Sequence, residues 1–292
     1  MERLAADLLI QLINGFTYGM ILALVASGFT LVLGVLNIVN FAHGELYMLG
    51  AYVGWASALL LQNFWLAVGA AGLILLVLGM GLERVLIRPV RRRGPLDPLL
   101  LTFGLSLIFQ QAALIVFGPI GKHVPMPIEV QLPFFRFGYP AYRLVVMLVA
   151  LGLILGLWVF LRRSRYGMFI RATVQDREMA AAMGVPVPRL YMLVFGIGSG
   201  IAGVSGVLMS PLFGVYHTMG LDIIISSFIV VVVGGMGSLP GSIVAGLLIG
   251  ELESLGSLFL KPIQAQILSL LMLLMVLAFR PQGLLGRRSL GG

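Results

Sequence analysis

The chain holds 292 residues, 60% of them hydrophobic and only 10% charged, with a net charge of +8 and no cysteine. An ordinary soluble domain carries roughly a quarter charged residues, so this composition excludes bulk water as the medium for most of the chain. The missing cysteines exclude disulfides, thiolate metal sites and cysteine nucleophiles. The positive charge suits basic cytoplasmic loops better than a nucleic-acid partner, and none is expected.

Residues 1–7 hold one basic and two acidic side chains ahead of a charge-free run from Leu8 through Gly44. That run is too long for a signal peptide, so the first helix is expected to be retained. A second charge-free run, Leu46–Leu82, follows at once. Crossing a hydrocarbon core of roughly 30 Å takes about 20 apolar residues, and helices are expected over about 8–34, 45–62 and 64–82. Backbone groups in lipid must pair within the protein, which leaves helices or a closed barrel. Barrel strands alternate apolar and polar residues, whereas Leu144–Leu157 is apolar all round, so helices carry the span.

Near the first junction, Asn37, Asn40, His43 and Glu45 bring polar groups to the membrane edge. Two readings stand side by side. Either they cap the next helix at the interface, or the segment is a re-entrant half-helix whose ionisable groups face a cavity or a partner.

A basic segment follows (Arg84, Arg88, Arg91, Arg92, Arg93), then crossings at about 99–118 and 143–161 around a loop holding Lys122, Arg136 and Arg143. A second basic segment carries Arg162, Arg163, Arg165, Arg171, Arg177 and Arg189. Inside it, Thr173-Val-Gln-Asp176 has the form of a helix capping box. Gln175 to Met183 reads as a short helix, Gly184 as its left-handed stop, and Pro186 and Pro188 prevent its continuation. Its surface mixes Arg171, Asp176, Arg177 and Glu178 with Met179, Ala180, Ala181, Ala182 and Met183. It fits a lipid-surface helix or a groove on a protein partner, and the small Ala and Met face favours the partner.

Four further crossings are expected at about 190–210, 223–237, 242–260 and 263–279, ahead of a basic tail with Arg280, Arg287 and Arg288. Even numbers of crossings separate the three basic segments, as a common cytoplasmic side requires. Three upstream crossings would put the N-terminus outside, unless the Asn37–Glu45 segment is a hairpin. Small residues recur every four positions as Gly196 with Gly200 and Ser199 with Gly203, a pattern that lets helix backbones approach and is expected to serve packing within one chain. Gly234-Gly-Met-Gly-Ser-Leu-Pro-Gly241 reads as a tight turn or a re-entrant bend. Asp222 begins a crossing, and Glu251 and Glu253 lie late in another. The fold expected is an all-α, polytopic membrane protein of about 8–9 transmembrane helices with possible re-entrant segments. It forms a single transmembrane domain over 1–292 with a cytoplasmic loop at 162–189.

Chemistry motifs are missing. No G-x-x-x-x-G-K-[ST] phosphate loop exists, since Gly118-Pro-Ile-Gly-Lys-His123 has the wrong spacing. No H-E-x-x-H or usable hydrolase constellation is present, and His43, His123 and His217 are scattered. Neither catalytic nor metal residues are expected, and the chain is not read as an enzyme.

Four segments carry a resemblance: Gly34–Tyr52 with its Asn37-Ile-Val-Asn-Phe-Ala-His-Gly-Glu45 core, Glu83-Arg-Val-Leu-Ile-Arg-Pro-Val-Arg91, Gly234–Gly241 and Arg280-Pro-Gln-Gly-Leu-Leu-Gly286. In that order they resemble the permease of branched-chain amino acid ABC importers, the LivH type. The resemblance implies a subunit of the bacterial inner membrane, and the basic tail is expected to set its C-terminus on the cytoplasmic side. It pairs with a second permease subunit, two cytoplasmic ATPase subunits and an extracytoplasmic substrate-binding protein, with membrane lipid around the spans. No cofactor is expected on this chain, because ATP would be hydrolysed by the partner subunits. By the same resemblance the Thr173–Gly184 helix couples to an ATPase, with Arg171, Thr173, Asp176, Arg177, Glu178, Ala181 and Gly184 as its residues. Glu178-Met-Ala-Ala-Ala-Met-Gly184 approximates the E-A-A…G pattern of such helices. Asn40, His43, Glu45, Tyr216 and Asp222 are the expected substrate-path residues. The alternative is a self-sufficient secondary transporter in which His43, Glu45 and Asp222 relay protons or bind a coupling ion.

Overall fold

The computed structural model describes residues 2–91, 93–94, 96–134 and 137–286. Arg92, Arg136, Arg287 and Arg288, counted above among the basic positions, lie outside them.

Among the described residues, six helices are long and apolar enough to cross a membrane: Leu8–Leu36, Phe64–Val90, Asp97–Phe117, Ala141–Arg163, Val187–Phe213 and Leu239–Gly256. Met219–Gly234 and Gln264–Phe279 are shorter apolar helices. In chain order the elements are α1 (Glu2–Leu36), α2 (His43–Leu61) and α3 (Phe64–Leu82), which continues through a π-helical turn (Glu83–Ile87) into α4 (Arg88–Val90). After them come α5 (Asp97–Phe117), a hairpin of β1 (Gln131–Phe134) and β2 (Phe137–Pro140), α6 (Ala141–Arg163), α7 (Arg165–Gln175) and α8 (Arg177–Ala182). The chain ends in α9 (Val187–Phe213), α10 (Met219–Gly234), α11 (Leu239–Gly256) and α12 (Pro262–Phe279). Each of the nine expected crossings corresponds to one of these helices, and the all-α architecture stands. The hairpin, antiparallel with Leu132 opposite Tyr139, was not expected.

The chain divides into two compact units. In the unit formed by Leu31–Val124 and Gly152–Ile224, α9 packs on both α2 and α3. The small-residue spacing of α9 explains why. A Cβ placed on Gly50 would lie 2.2 Å from the Gly203 Cα, closer than any carbon pair tolerates. The two backbones touch there, as small residues allow between membrane helices. Ser199 and Gly196 lie against Gly79 in the same way. The small-residue pattern therefore serves packing within the chain.

The other unit comprises the chain up to Thr30, Pro125–Leu151 and the residues from Ile225 onward. Here α1 lies against α11 through Gly19 and Gly250, and Thr30 and Ser242 share a hydroxyl–hydroxyl hydrogen bond of 2.6 Å. Asn14 of α1 accepts hydrogen bonds from the Tyr139 hydroxyl at 3.0 Å and from Arg143, which ties the hairpin and the start of α6 to α1. Glu253 accepts from Ser269 at 2.8 Å, and Glu251 packs on Gly15. The Gly234–Gly241 segment is a turn. Gly235 and Gly237 have φ of 104° and 80°, and the Ser238 hydroxyl caps α11 by accepting from the Gly241 N–H at 3.2 Å. The tail folds back on this turn, with the Leu284 N–H donating to the Val233 carbonyl at 2.8 Å and the Leu285 N–H to Gly234 at 3.1 Å.

Candidate functional site

The chain breaks helix between Leu36 and His43. Asn37 takes a left-handed φ of 55°, a conformation Asn tolerates better than most residues, and its N–H still donates to the Leu33 carbonyl at 2.9 Å. The backbone then runs irregularly to Ala42, and α2 begins at His43. Irregular backbone inside a membrane bundle leaves polar groups that neighbouring helices must satisfy. Thr102 of α5 does this, its hydroxyl accepting from the Phe41 N–H at 3.3 Å and lying 3.3 Å from the Val39 carbonyl and 3.1 Å from Leu99. One turn along α5, the Ser106 hydroxyl donates to the Glu45 Oε1 at 3.2 Å.

From the other side α10 closes on the break. A Cβ on Gly44 would sit 2.1 Å from the Gly220 carbonyl oxygen, and one on Gly220 would sit 2.4 Å from the Glu45 Oε2. Only glycine at both positions permits this approach. Asn40 and Glu45 are each 1% exposed and His43 fully buried. The Asn40 amide nitrogen and oxygen, and the Glu45 Oε2, have no hydrogen-bond partner among the described residues. Leaving such groups unmade costs about 1–3 kcal/mol each, a penalty that a bound polar ligand would remove.

Tyr216 and Asp222 form a separate pair, the hydroxyl of the half-buried Tyr216 donating to the Oδ2 of the exposed Asp222 at 3.1 Å. Burial first, then the Asp222 charge and this hydrogen bond, push the Tyr216 hydroxyl up to about 12. The pair belongs to a cap in which Lys122 and Val215 exchange backbone hydrogen bonds of 2.8 and 2.9 Å, with the Lys122 ammonium 5.7 Å from the Trp55 ring. Of the five expected path residues, three gather at the break and two do not. Sequence reasoning missed Thr102, Ser106 and Gly220. The signal available was a pair of lone hydroxyls one helical turn apart in the otherwise apolar stretch 98–109 of α5.

The loop between α6 and α9 corrects one expectation. Thr173 does not cap a helix. The Ser164 hydroxyl accepts from the Gly167 N–H at 2.9 Å and starts α7 there, and Gly167, Ile170 and Thr173 form its buried face. That earlier cap and apolar spacing nucleate a helix upstream, which absorbs Thr173. The break falls at Asp176, whose Oδ1 accepts from the Met179 N–H at 2.9 Å and caps α8. Gly184, with φ 86°, supplies the left-handed stop as expected. Arg171, Asp176, Arg177, Glu178, Ala181 and Gly184 are exposed, beside Met179 and Met183, the latter 79% exposed. The two basic segments meet here. Arg88 donates to the Pro188 carbonyl at 2.7 Å, and the Arg91 and Arg177 guanidiniums lie 4.0 and 5.6 Å from the Tyr191 ring centre. Burial pushes the pKa of the Arg91 guanidinium below its ordinary value.

Apolar spans packed around an interrupted helix, with buried polar groups at the interruption, define a polytopic membrane transport protein. The comparisons with known proteins agree. The family model for the permease component of branched-chain amino acid transport systems matches residues 11–277, and the chain belongs to that family. It is 34% identical to the high-affinity branched-chain amino acid transport system permease protein LivH of Escherichia coli K12, with 95% of each chain covered. It is 32% identical to the corresponding permease protein BraD of Pseudomonas aeruginosa, again over 95% of each. To the permease protein LivM of Salmonella typhimurium it is 28% identical, over 92% of this chain and 68% of that one. The chain is thus a transport component and not an enzyme.

Proposed function

We propose that this chain is one of two permease subunits of an ATP-driven importer of branched-chain or related amino acids in a bacterial inner membrane. The family match over nearly the whole chain carries this reading. Likeness to both LivH and LivM proteins supports a partnership of two homologous permeases. The lack of a phosphate loop calls for two ATPase partners, and an extracytoplasmic binding protein would deliver the amino acid.

The α7–α8 pair, within residues 162–189, is the coupling surface in this reading. Arg171, Asp176, Arg177, Glu178, Ala181 and Gly184 face the ATPase, with Thr173 anchoring α7 from beneath. The meeting of the two basic segments supports a shared cytoplasmic side, and the basic tail supports a cytoplasmic C-terminus as well. Asn40, His43 and Glu45 line the substrate path, with Tyr216 and Asp222 at its outer mouth. The unpartnered Asn40 amide and Glu45 oxygen support this assignment, since an amino acid brings both a donor ammonium and an acceptor carboxylate.

The test is ATP-dependent uptake of leucine, isoleucine and valine by proteoliposomes holding the chain with the products of neighbouring genes. Uptake that needs the ATPases and falls with the Arg177→Glu, Glu178→Arg double variant is expected. Accumulation by this chain alone on an ion gradient would overturn the proposal in favour of a secondary transporter.

A further inference from the structure

We infer that the chain carries a site for an anionic phospholipid in a cleft of about 1050 Å³ where α3, α6, α7 and α9 meet. Four arginines line it: Arg84, Arg88, Arg165 and Arg189. Arg88 is held by Glu83 at 2.8 Å, whereas Arg84, Arg165 and Arg189 pair with no carboxylate among the described residues. Three guanidiniums converging without an acid mark a place for a multivalent anion, and planar guanidinium donors match phosphate oxygens.

The cleft is polar at one end only. Arg84 and Arg88 are in the last turns of the Phe64–Val90 span, and Arg189 is in the first turn of Val187–Phe213. Met80 lies one turn deeper on the first of these helices, and Ile197 two turns deeper on the second, and both line the same cleft. The occupant must therefore be charged where the helices leave the membrane and apolar where they enter it. A phosphate-headed lipid with acyl chains has that polarity, and a free phosphate or a purely polar protein segment does not. Basic pockets between helices at a membrane face bind such headgroups. The site is separate from the buried cluster at Asn40 and Glu45 and does not depend on what the chain transports.

Native mass spectrometry of the full-length chain in detergent, titrated with phosphatidylglycerol, phosphatidylcholine or inorganic phosphate, tests this. One phosphatidylglycerol should bind at least about tenfold more tightly than phosphatidylcholine. Each basic side chain near an anionic headgroup is worth about fivefold, so Arg84→Gln with Arg189→Gln should weaken the complex about 30-fold. Arg162→Gln, whose guanidinium lies over Trp158 outside the cleft, should leave it intact. Ile197→Trp, which fills the apolar end, should abolish lipid binding with all four arginines present. Millimolar inorganic phosphate should not displace the lipid. Equal binding of the two lipids, retention by the double arginine variant, or retention by Ile197→Trp together with displacement by phosphate would each overturn the inference. If the double variant does not yield monodisperse protein, Arg189→Gln alone, at an exposed position, should show the fivefold loss.

Discussion

Replacing Gly50 by alanine adds one methyl group at the point where α2 and α9 touch. The new Cβ would lie 2.2 Å from the Gly203 Cα and 2.5 Å from its carbonyl oxygen. Carbon atoms pack at about 3.5 Å or more, so the helices must part by about 1.3 Å. Backbone atoms cannot rotate away as a side chain does, and the parting would propagate to Gly206, which sits against the Tyr47 carbonyl. Overpacking of this kind costs about 1–3 kcal/mol, and the backbone contact puts this case at the upper end. Alanine recovers about 1 kcal/mol of helix propensity, leaving a net loss of about 2 kcal/mol. The matched control is Gly69→Ala on α3, where nothing lies within 4 Å of the added atom and only the propensity gain remains. Equilibrium unfolding in mixed micelles should therefore move in opposite directions for the two variants. Coincident transitions for Gly50→Ala and Gly69→Ala would refute the argument that backbone contact holds this interface together.

Asn40→Leu replaces a buried, unpartnered amide by an apolar side chain of similar size, so unfolding should show a gain of about 1–2 kcal/mol while uptake is lost. A destabilised variant with normal uptake would contradict both halves. Ser106→Ala removes the hydrogen bond to Glu45 and leaves that carboxylate wholly unpaired, and a loss of about 1–3 kcal/mol is expected in the same unfolding assay. Asp176→Ala removes the cap of α8 at a cost of about 1 kcal/mol, visible as roughly fivefold faster amide exchange over Arg177–Ala182. Asp176→Ser should restore most of the protection, and unchanged exchange in the alanine variant would show that the cap does not hold the helix.

The spans were legible because lipid allows few alternatives, and runs such as Leu46–Leu82 have no charge to place in a loop. The α9 glycines were legible because small residues recur there every four positions, the spacing of a close helix contact, whereas a lone helical glycine such as Gly69 has nothing against it. What the sequence hid was nonlocal. Nothing near Glu45 in the chain points to Ser106 or Gly220, which reach it from helices distant in sequence. Thr173 misled because its spacing to Asp176 is that of a cap, and the competing Ser164 start becomes visible only once Gly167, Ile170 and Thr173 are seen sharing one face. The hairpin at 131–140 carries two prolines and no strong turn dipeptide, so local pattern had little to offer.

The back-folded tail has a consequence for biosynthesis. The Val233 and Gly234 carbonyls at the end of α10 accept from Leu284 and Leu285, residues that leave the ribosome only after α11 and α12. α10 therefore enters the membrane with its final turn incomplete, and that turn closes only once Leu284 and Leu285 have been made. A segment made after α12 acts as the latch on a helix inserted well before it, and a ribosome stalled ahead of Leu284 leaves that latch open.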